Sequence, residues 1–154
     1  MYQRKDHFYK KAKKEGFASR AVYKLQEIQK KYRILKQGDR VLDLGAAPGG
    51  WMEITAKDIG PKGHVTGMDR LPLKIHLPPN ATFLQQTVGA DLKLEKSFDT
   101  ILSDLSPDLT GITFRDSYQS YELAKLGWQI AQKYLKGQGN LVIKIFPGEE
   151  TKGF

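Results

Sequence analysis

The stretch Val41-Leu42-Asp43-Leu44-Gly45-Ala46-Ala47-Pro48-Gly49-Gly50-Trp51 joins a short apolar run to a glycine-rich turn and then to a helical pattern. Such a turn binds ligands through its backbone. Gly45, Gly49 and Gly50 let the main chain approach a ligand closely, and the N-terminus of the helix behind them favours negative charge. The next apolar run ends in Asp69, 19 residues beyond Gly50, where a carboxylate accepts hydrogen bonds from ribose hydroxyls. That spacing suits a nucleoside. It suits a nicotinamide dinucleotide less well, because the loop reads Gly-Ala-Ala-Pro-Gly-Gly in place of G-x-G-x-x-G, and Pro48 removes an N–H donor that a pyrophosphate would use. The plain alternative is a tight strand-to-helix turn without a ligand, which Asp69 argues against.

Two further residues interrupt apolar surroundings. Lys144 lies within Val142-Ile143-Lys144-Ile145-Phe146, where an unpaired ammonium is costly to bury, so it belongs near a strand's open end, against a cleft or a carboxylate. Asp104, in Ser103-Asp104-Leu105-Ser106-Pro107, follows a run of similar character and could be that partner. The alternatives are a snorkelling surface lysine and a carboxylate that caps the turn before Pro107.

The elements that must position these groups alternate. Ser19 is a candidate N-cap for a helix whose apolar positions Ala21, Val22, Leu25, Ile28 and Tyr32 recur at helical spacing. Strands are predicted at 41–44, 64–68, 82–85, 98–103 and 140–146, and helices at 51–59 and 117–136, with a turn at 60–63 and a stop at Gly137. Strands alternating with helices imply an α/β domain with a mostly parallel, doubly wound sheet and a ligand crevice at the carboxyl ends of the strands. With 154 residues, 40% hydrophobic, the chain reads as one domain, a basic helical N-terminal arm over 1–36 and an α/β core over 37–154.

The 25 Lys and Arg outnumber 17 Asp and Glu for a net charge of +8, and residues 1–40 hold 13 of these bases against four acids. The excess is therefore all in the arm, where it interleaves with Tyr2, Phe8, Tyr9 and Phe17, a pattern suited to phosphates and stacked bases. The alternative is a solvated helix face. The absence of cysteine excludes disulfides, iron–sulfur clusters and thiolate zinc sites, and His7, His64 and His76 are too dispersed for a local metal motif. No apolar run approaches the length of a membrane span, and the polar start Met1-Tyr2-Gln3-Arg4-Lys5 has no signal-peptide core, so the expectation is a cytoplasmic protein without metal or membrane partner.

The segment Lys11-Ala12-Lys13-Lys14-Glu15-Gly16-Phe17-Ala18-Ser19-Arg20-Ala21-Val22-Tyr23-Lys24-Leu25, followed in order by Asp43 to Trp51, Ser103 to Pro107 and Val142 to Phe146, resembles the FtsJ-like (RrmJ-type) ribose 2′-O-methyltransferases. The resemblance runs through nearly the whole chain. It implies a Rossmann-like fold, S-adenosyl-L-methionine as methyl donor, and RNA as acceptor, bound through the N-terminal arm. By position, the first three members of the family's catalytic Lys-Asp-Lys-Glu set fall on Lys24, Asp104 and Lys144. These imply Lys144 as general base, Asp104 positioning it near the donor, and Lys24 orienting the ribose. For the cofactor, the resemblance adds Gly49 and Trp51 beside the donor, Asp69 on the adenosine ribose and Asp104 near the methionine end, next to Gly45 of the loop.

Two departures stand out. Where relatives carry an acid for the adenine amino group, this chain reads Phe83-Leu84-Gln85-Gln86-Thr87-Val88, which leaves Thr87 or Asp91 for that contact. The sequence ends at Phe154, ten residues after Lys144, short of the family's last helix and two strands and of its fourth catalytic Glu; Glu149 and Glu150 are too close in sequence to replace it. The acceptor implied is a uridine of large-subunit ribosomal RNA. Alternatives are a tRNA ribose 2′-O-methyltransferase, or a noncatalytic RNA-binding or ribosome-assembly factor that keeps the nucleoside pocket.

Overall fold

The computed structural model describes residues 7–95 and 97–154; Tyr2, Arg4 and Lys5 of the arm lie outside the described residues. Helix α1, His7–Glu15, buries Ala12 alone, whereas α2, Val22–Tyr32, buries Val22 and Leu25 against the sheet. Regular helix begins at Val22, not at Ser19. The Ser19 hydroxyl instead accepts the Ala21 N–H at 3.1 Å, tightening the turn that leads into α2.

The core follows as β1 (Arg40–Leu44), α3 (Gly50–Ile59), β2 (His64–Asp69), β3 (Ala81–Gln85), β4 (Phe98–Ser103), α4 (Thr113–Tyr134) and β5 (Leu135–Ile143), with a short 3-10 turn at Glu149–Gly153. All five strands pair in parallel in the order β3-β2-β1-β4-β5. Parallel strands need crossovers, and these cover both faces. Val41, Val65 and Leu102 pack with Leu25, Met52 and Ile59 of α2 and α3 on one side, and Leu42, Leu44 and Ile101 pack with Ile130 and Ala131 of α4 on the other. The expected doubly wound α/β sheet is therefore present.

Both ends of α4 and both ends of β5 differ from the sequence reading. Helix α4 starts at Thr113 and not at Ser117, because Asp116 organises the loop before it, accepting the Thr110 N–H and hydroxyl at 2.9 and 2.6 Å and the Gly111 N–H at 3.1 Å. It ends at Tyr134, and β5 begins without a linker, its extra residues bulging between the Phe98 and Thr100 positions of β4. Strand β5 stops at Ile143 because its neighbour runs out: the Lys144 N–H donates to Ser103, the last residue of β4, at 2.8 Å.

Candidate active site

The chain leaves β1 toward β2 on one side and pairs β1 with β4 on the other, so a crevice opens at the carboxyl ends of β1 and β4. The loops after these strands pack closely. Leu44 accepts the Asp104 N–H at 2.9 Å, and a Cβ on Gly45, at φ +79°, would lie 2.9 Å from the Leu105 nitrogen. Gly49, at φ +117°, is covered instead by Ile75, whose side chain would lie 2.7 Å from an added Cβ. Both glycines are thus demanded by the protein's own packing.

Asp69, at the end of β2, holds this loop: one oxygen accepts the Ala47 N–H and the other the Leu71 N–H, each at 2.9 Å. A carboxylate has lone pairs beyond these two bonds, and they are available to hydroxyl donors. A pocket of about 460 Å³ lies beside it, lined among others by Gly45, Asp69, Thr87, Asp104 and Lys144. Of the two residues left open for adenine, Thr87 lines this pocket and Asp91 does not. Gly49 and Trp51 do not line it either. The Trp51 indole N–H donates to the Ala21 carbonyl at 2.7 Å, tying α3 to the start of α2.

Lys144 and Asp104 meet as expected from their sequence contexts. Their side chains form an ion pair at 2.7 Å, and the ammonium also donates to the Asp104 carbonyl at 3.2 Å. Both line a second cleft of about 880 Å³, whose wall includes Lys24 and Trp51. Lys24 shares that wall without touching Asp104. Its ammonium is exposed and 3.4 Å from Glu27 on the same helix, a pairing worth at most about 1 kcal/mol.

The residue that sequence reasoning passed over is Asp43. It is fully buried in β1, and neither carboxylate oxygen has a hydrogen-bond partner among the described residues. Burial, with the negative charges of Asp104 and Asp69, pushes its carboxyl well above the usual carboxylate range. Asp104 is raised too: burial outweighs the opposing Lys144 ammonium, and Asp69 adds to the rise. The signal was an acid inside an apolar strand directly before a glycine turn. A second unforeseen pair, Arg70 and Asp108 at 2.7 Å, bridges the loops after β2 and β4 at the same pocket.

Asp69 and Asp104 bring negative charge to the pocket beside the buried Asp43, and a cation there would relieve it. A nucleoside that also carries positive charge fits such a pocket. The fold and the pocket thus define a Rossmann-like α/β domain with a crevice suited to a nucleoside. The FtsJ-like methyltransferase family matches residues 17–154, and the chain belongs to that family. Methyltransferases of this family use S-adenosylmethionine.

Among curated relatives, the chain is 44% identical to ribosomal RNA large subunit methyltransferase E of Syntrophobacter fumaroxidans over 97% of its own length and 79% of the relative's. It is 40% identical to the protein of the same name from Bdellovibrio bacteriovorus, over 97% and 80%. A crystal structure from Plasmodium falciparum, assigned as a ribosomal RNA methyltransferase, superposes with a TM-score of 0.78 at 27% identity, covering 89% of this chain and 82% of the other. Fibrillarin from Aeropyrum pernix with bound S-adenosyl-L-methionine, at 19% identity and a TM-score of 0.51 over 78% of this chain and 55% of that one, shares the fold. Among the described residues no cluster of three His, Asp or Glu could hold a metal ion, and no helix is long and apolar enough to cross a membrane.

Proposed function

We propose that this chain methylates a ribose 2′-hydroxyl in RNA, a uridine of large-subunit ribosomal RNA, from S-adenosylmethionine, in the cytoplasm. One observation carries the reading: Asp104 and Lys144, paired at 2.7 Å, line both the pocket that ends at Asp69 and the cleft that contains Lys24. A donor held at Asp69 and an acceptor held at Lys24 therefore meet at this pair. The names of the relatives support ribosomal RNA as the acceptor class.

The cofactor supplies an electrophilic methyl carbon, and the protein's tasks are alignment and proton removal. A neutral 2′-hydroxyl is a poor nucleophile, so Lys144 would have to give up its own proton and then take the hydroxyl proton at Nζ, while the bound cofactor would supply the methyl group, its carbon–sulfur bond breaking with the electron pair left on sulfur. Asp104 fixes the Lys144 side chain and presents its carboxylate to the cationic end of the donor. Lys24 is weakly tethered and free to exchange Glu27 for the RNA. The basic arm brings the phosphates.

The test is incubation of the purified chain with labelled S-adenosylmethionine and a mixture of unmethylated large-subunit ribosomal RNA and tRNA, followed by ribose-methylation mapping. A single 2′-O-methylated uridine is expected. Label appearing only in tRNA would move the assignment to that acceptor, and cofactor binding without any transfer would make the chain an RNA-binding factor.

A further inference from the structure

A larger cleft, about 1200 Å³, adjoins the one that contains Lys24. It is built from five separate parts of the chain: Tyr9 and Lys13 of α1 with Phe17 of the turn after it, the glycine turn with the start of α3, Lys74 of the β2–β3 connection, Leu109 of the β4–α4 loop, and Phe146 beyond β5. Phe146 lines both clefts, and its ring lies 5.7 Å from the Lys144 ammonium. The two spaces therefore adjoin at one aromatic side chain next to the reacting groups.

The lining combines flat apolar surface with positive charge. Tyr9 is 43% and Leu109 58% exposed, although both are large apolar groups that water disfavours. Leu109 belongs to the loop held by Asp116, and the Lys74 N–H is anchored on the Pro48 carbonyl at 2.9 Å, which fixes that lysine against the glycine turn. Glu53, an acid on the lining, is turned to the protein: it accepts the Ala18 N–H, its other oxygen is buried, and burial raises its carboxyl above the ordinary value.

The geometry points to a subsite for an unpaired nucleotide adjacent to the one that is methylated, its base on Tyr9, Leu109 and Phe146 and its phosphates toward Lys13 and Lys74. Base stacking on such surfaces is sequence-tolerant, and backbone cations supply the rest. The subsite deepens the RNA methyltransferase reading and rests on it. It also restricts the acceptor, because a base still paired in a duplex cannot enter a cleft, so the enzyme selects its target in a loop or a melted segment.

The test uses a synthetic RNA hairpin carrying the sequence mapped as methylated, with an abasic nucleotide placed in turn on each side of the target. For the wild-type chain, one of the two abasic RNAs is expected to raise the half-saturating RNA concentration roughly tenfold, with little change in the single-turnover rate at saturation. The double variant Tyr9→Ala, Leu109→Ser is expected to raise it to the same degree on intact RNA and to show no further loss on the abasic one. If both abasic RNAs behave as intact RNA, or if the two losses multiply, the subsite is overturned while the RNA methyltransferase reading stands. If the wild-type chain methylates no RNA at all, both fall together.

Discussion

The Asp69 carboxylate accepts the Ala47 N–H at 2.9 Å, so the residue that closes β2 also holds the loop that follows β1. Removing it does two things at once: it takes away the acceptor for the ribose hydroxyls and releases the glycine turn. Asp69→Ala is expected to weaken S-adenosylmethionine binding by about 1 to 3 kcal/mol, the usual loss for a charged hydrogen-bond partner. Asp69→Asn keeps an acceptor for Ala47 and should lose less. Calorimetry on the three proteins decides it, and equal affinities would remove Asp69 from the cofactor site.

Lys144→Ala is expected to abolish methyl transfer with cofactor affinity almost unchanged, since the proposed role of the Lys144 amine is toward the ribose proton. Lys24→Ala should also cripple turnover, but by misplacing the acceptor. Single-turnover rates at saturating RNA separate the two: Lys24→Ala should recover partly at high RNA concentration and Lys144→Ala should not. Wild-type rates in Lys144→Ala would hand the proton to another group.

Much of this arrangement was legible in the residues. A lysine inside Val142 to Phe146 and an acid after Phe98–Ser103 could be each other's partner, with a snorkelling lysine and a turn-capping acid as the alternatives, and the 2.7 Å pairing decides for the partnership. What was not legible depended on contacts distant in sequence. Gly49 and Trp51 sit inside a ligand-binding motif, yet Ile75 covers the glycine and the indole N–H faces Ala21, and no local pattern reports either neighbour. The start of α4 was misplaced for a similar reason. Ser117 has the chemistry of a cap, but its hydroxyl donates to Phe114, and it is Asp116 that orders the preceding loop.

Trp51→Phe makes that difference measurable. Loss of the bond to Ala21 should cost about 1 kcal/mol of stability and loosen the start of α2, which carries Lys24. The expected result is a raised half-saturating RNA concentration with unchanged S-adenosylmethionine affinity. A selective loss of cofactor affinity would place Trp51 beside the donor.

Asp43 predicts an unusual pH dependence. Its carboxyl is raised in the folded chain by burial and by Asp104 and Asp69, so from the ordinary carboxylate range up to the raised folded value the native state holds a proton that the unfolded chain has released. Within that window the native state binds more protons, and stability falls as pH rises. Asp43→Asn, uncharged and of the same shape, should therefore melt at a higher temperature than wild type at neutral pH, with a flatter profile above the ordinary carboxylate range. Thermal melts without cofactor test it, and a variant less stable at neutral pH would mean that the carboxylate is compensated in solution.

The basic arm is the last element whose role can be separated. Residues 1–40 hold 13 basic and four acidic side chains, while the rest of the chain carries 12 and 13. Lys10, Lys11, Lys13 and Lys14 all lie on α1, which buries only Ala12 and is pinned mainly through Tyr23, whose ring Lys11 approaches to 4.8 Å. The Tyr23 hydroxyl donates to Glu15 at 2.6 Å. Changing the four lysines to Gln leaves this hydroxyl–carboxylate bond in place, so the helix should stay docked. Each phosphate contact on single-stranded RNA contributes roughly −0.7 to the log–log salt slope, so the variant should bind RNA more weakly with a slope flatter by about 2 to 3 if most of the four touch phosphates. Cofactor affinity should be spared, because Asp69 and Gly45 line a pocket that no residue of α1 reaches. Lysines that served solubility alone would leave both RNA affinity and slope unchanged. Filter binding from low to moderate salt on both proteins distinguishes the two, and parallel lines would place the RNA on some other surface.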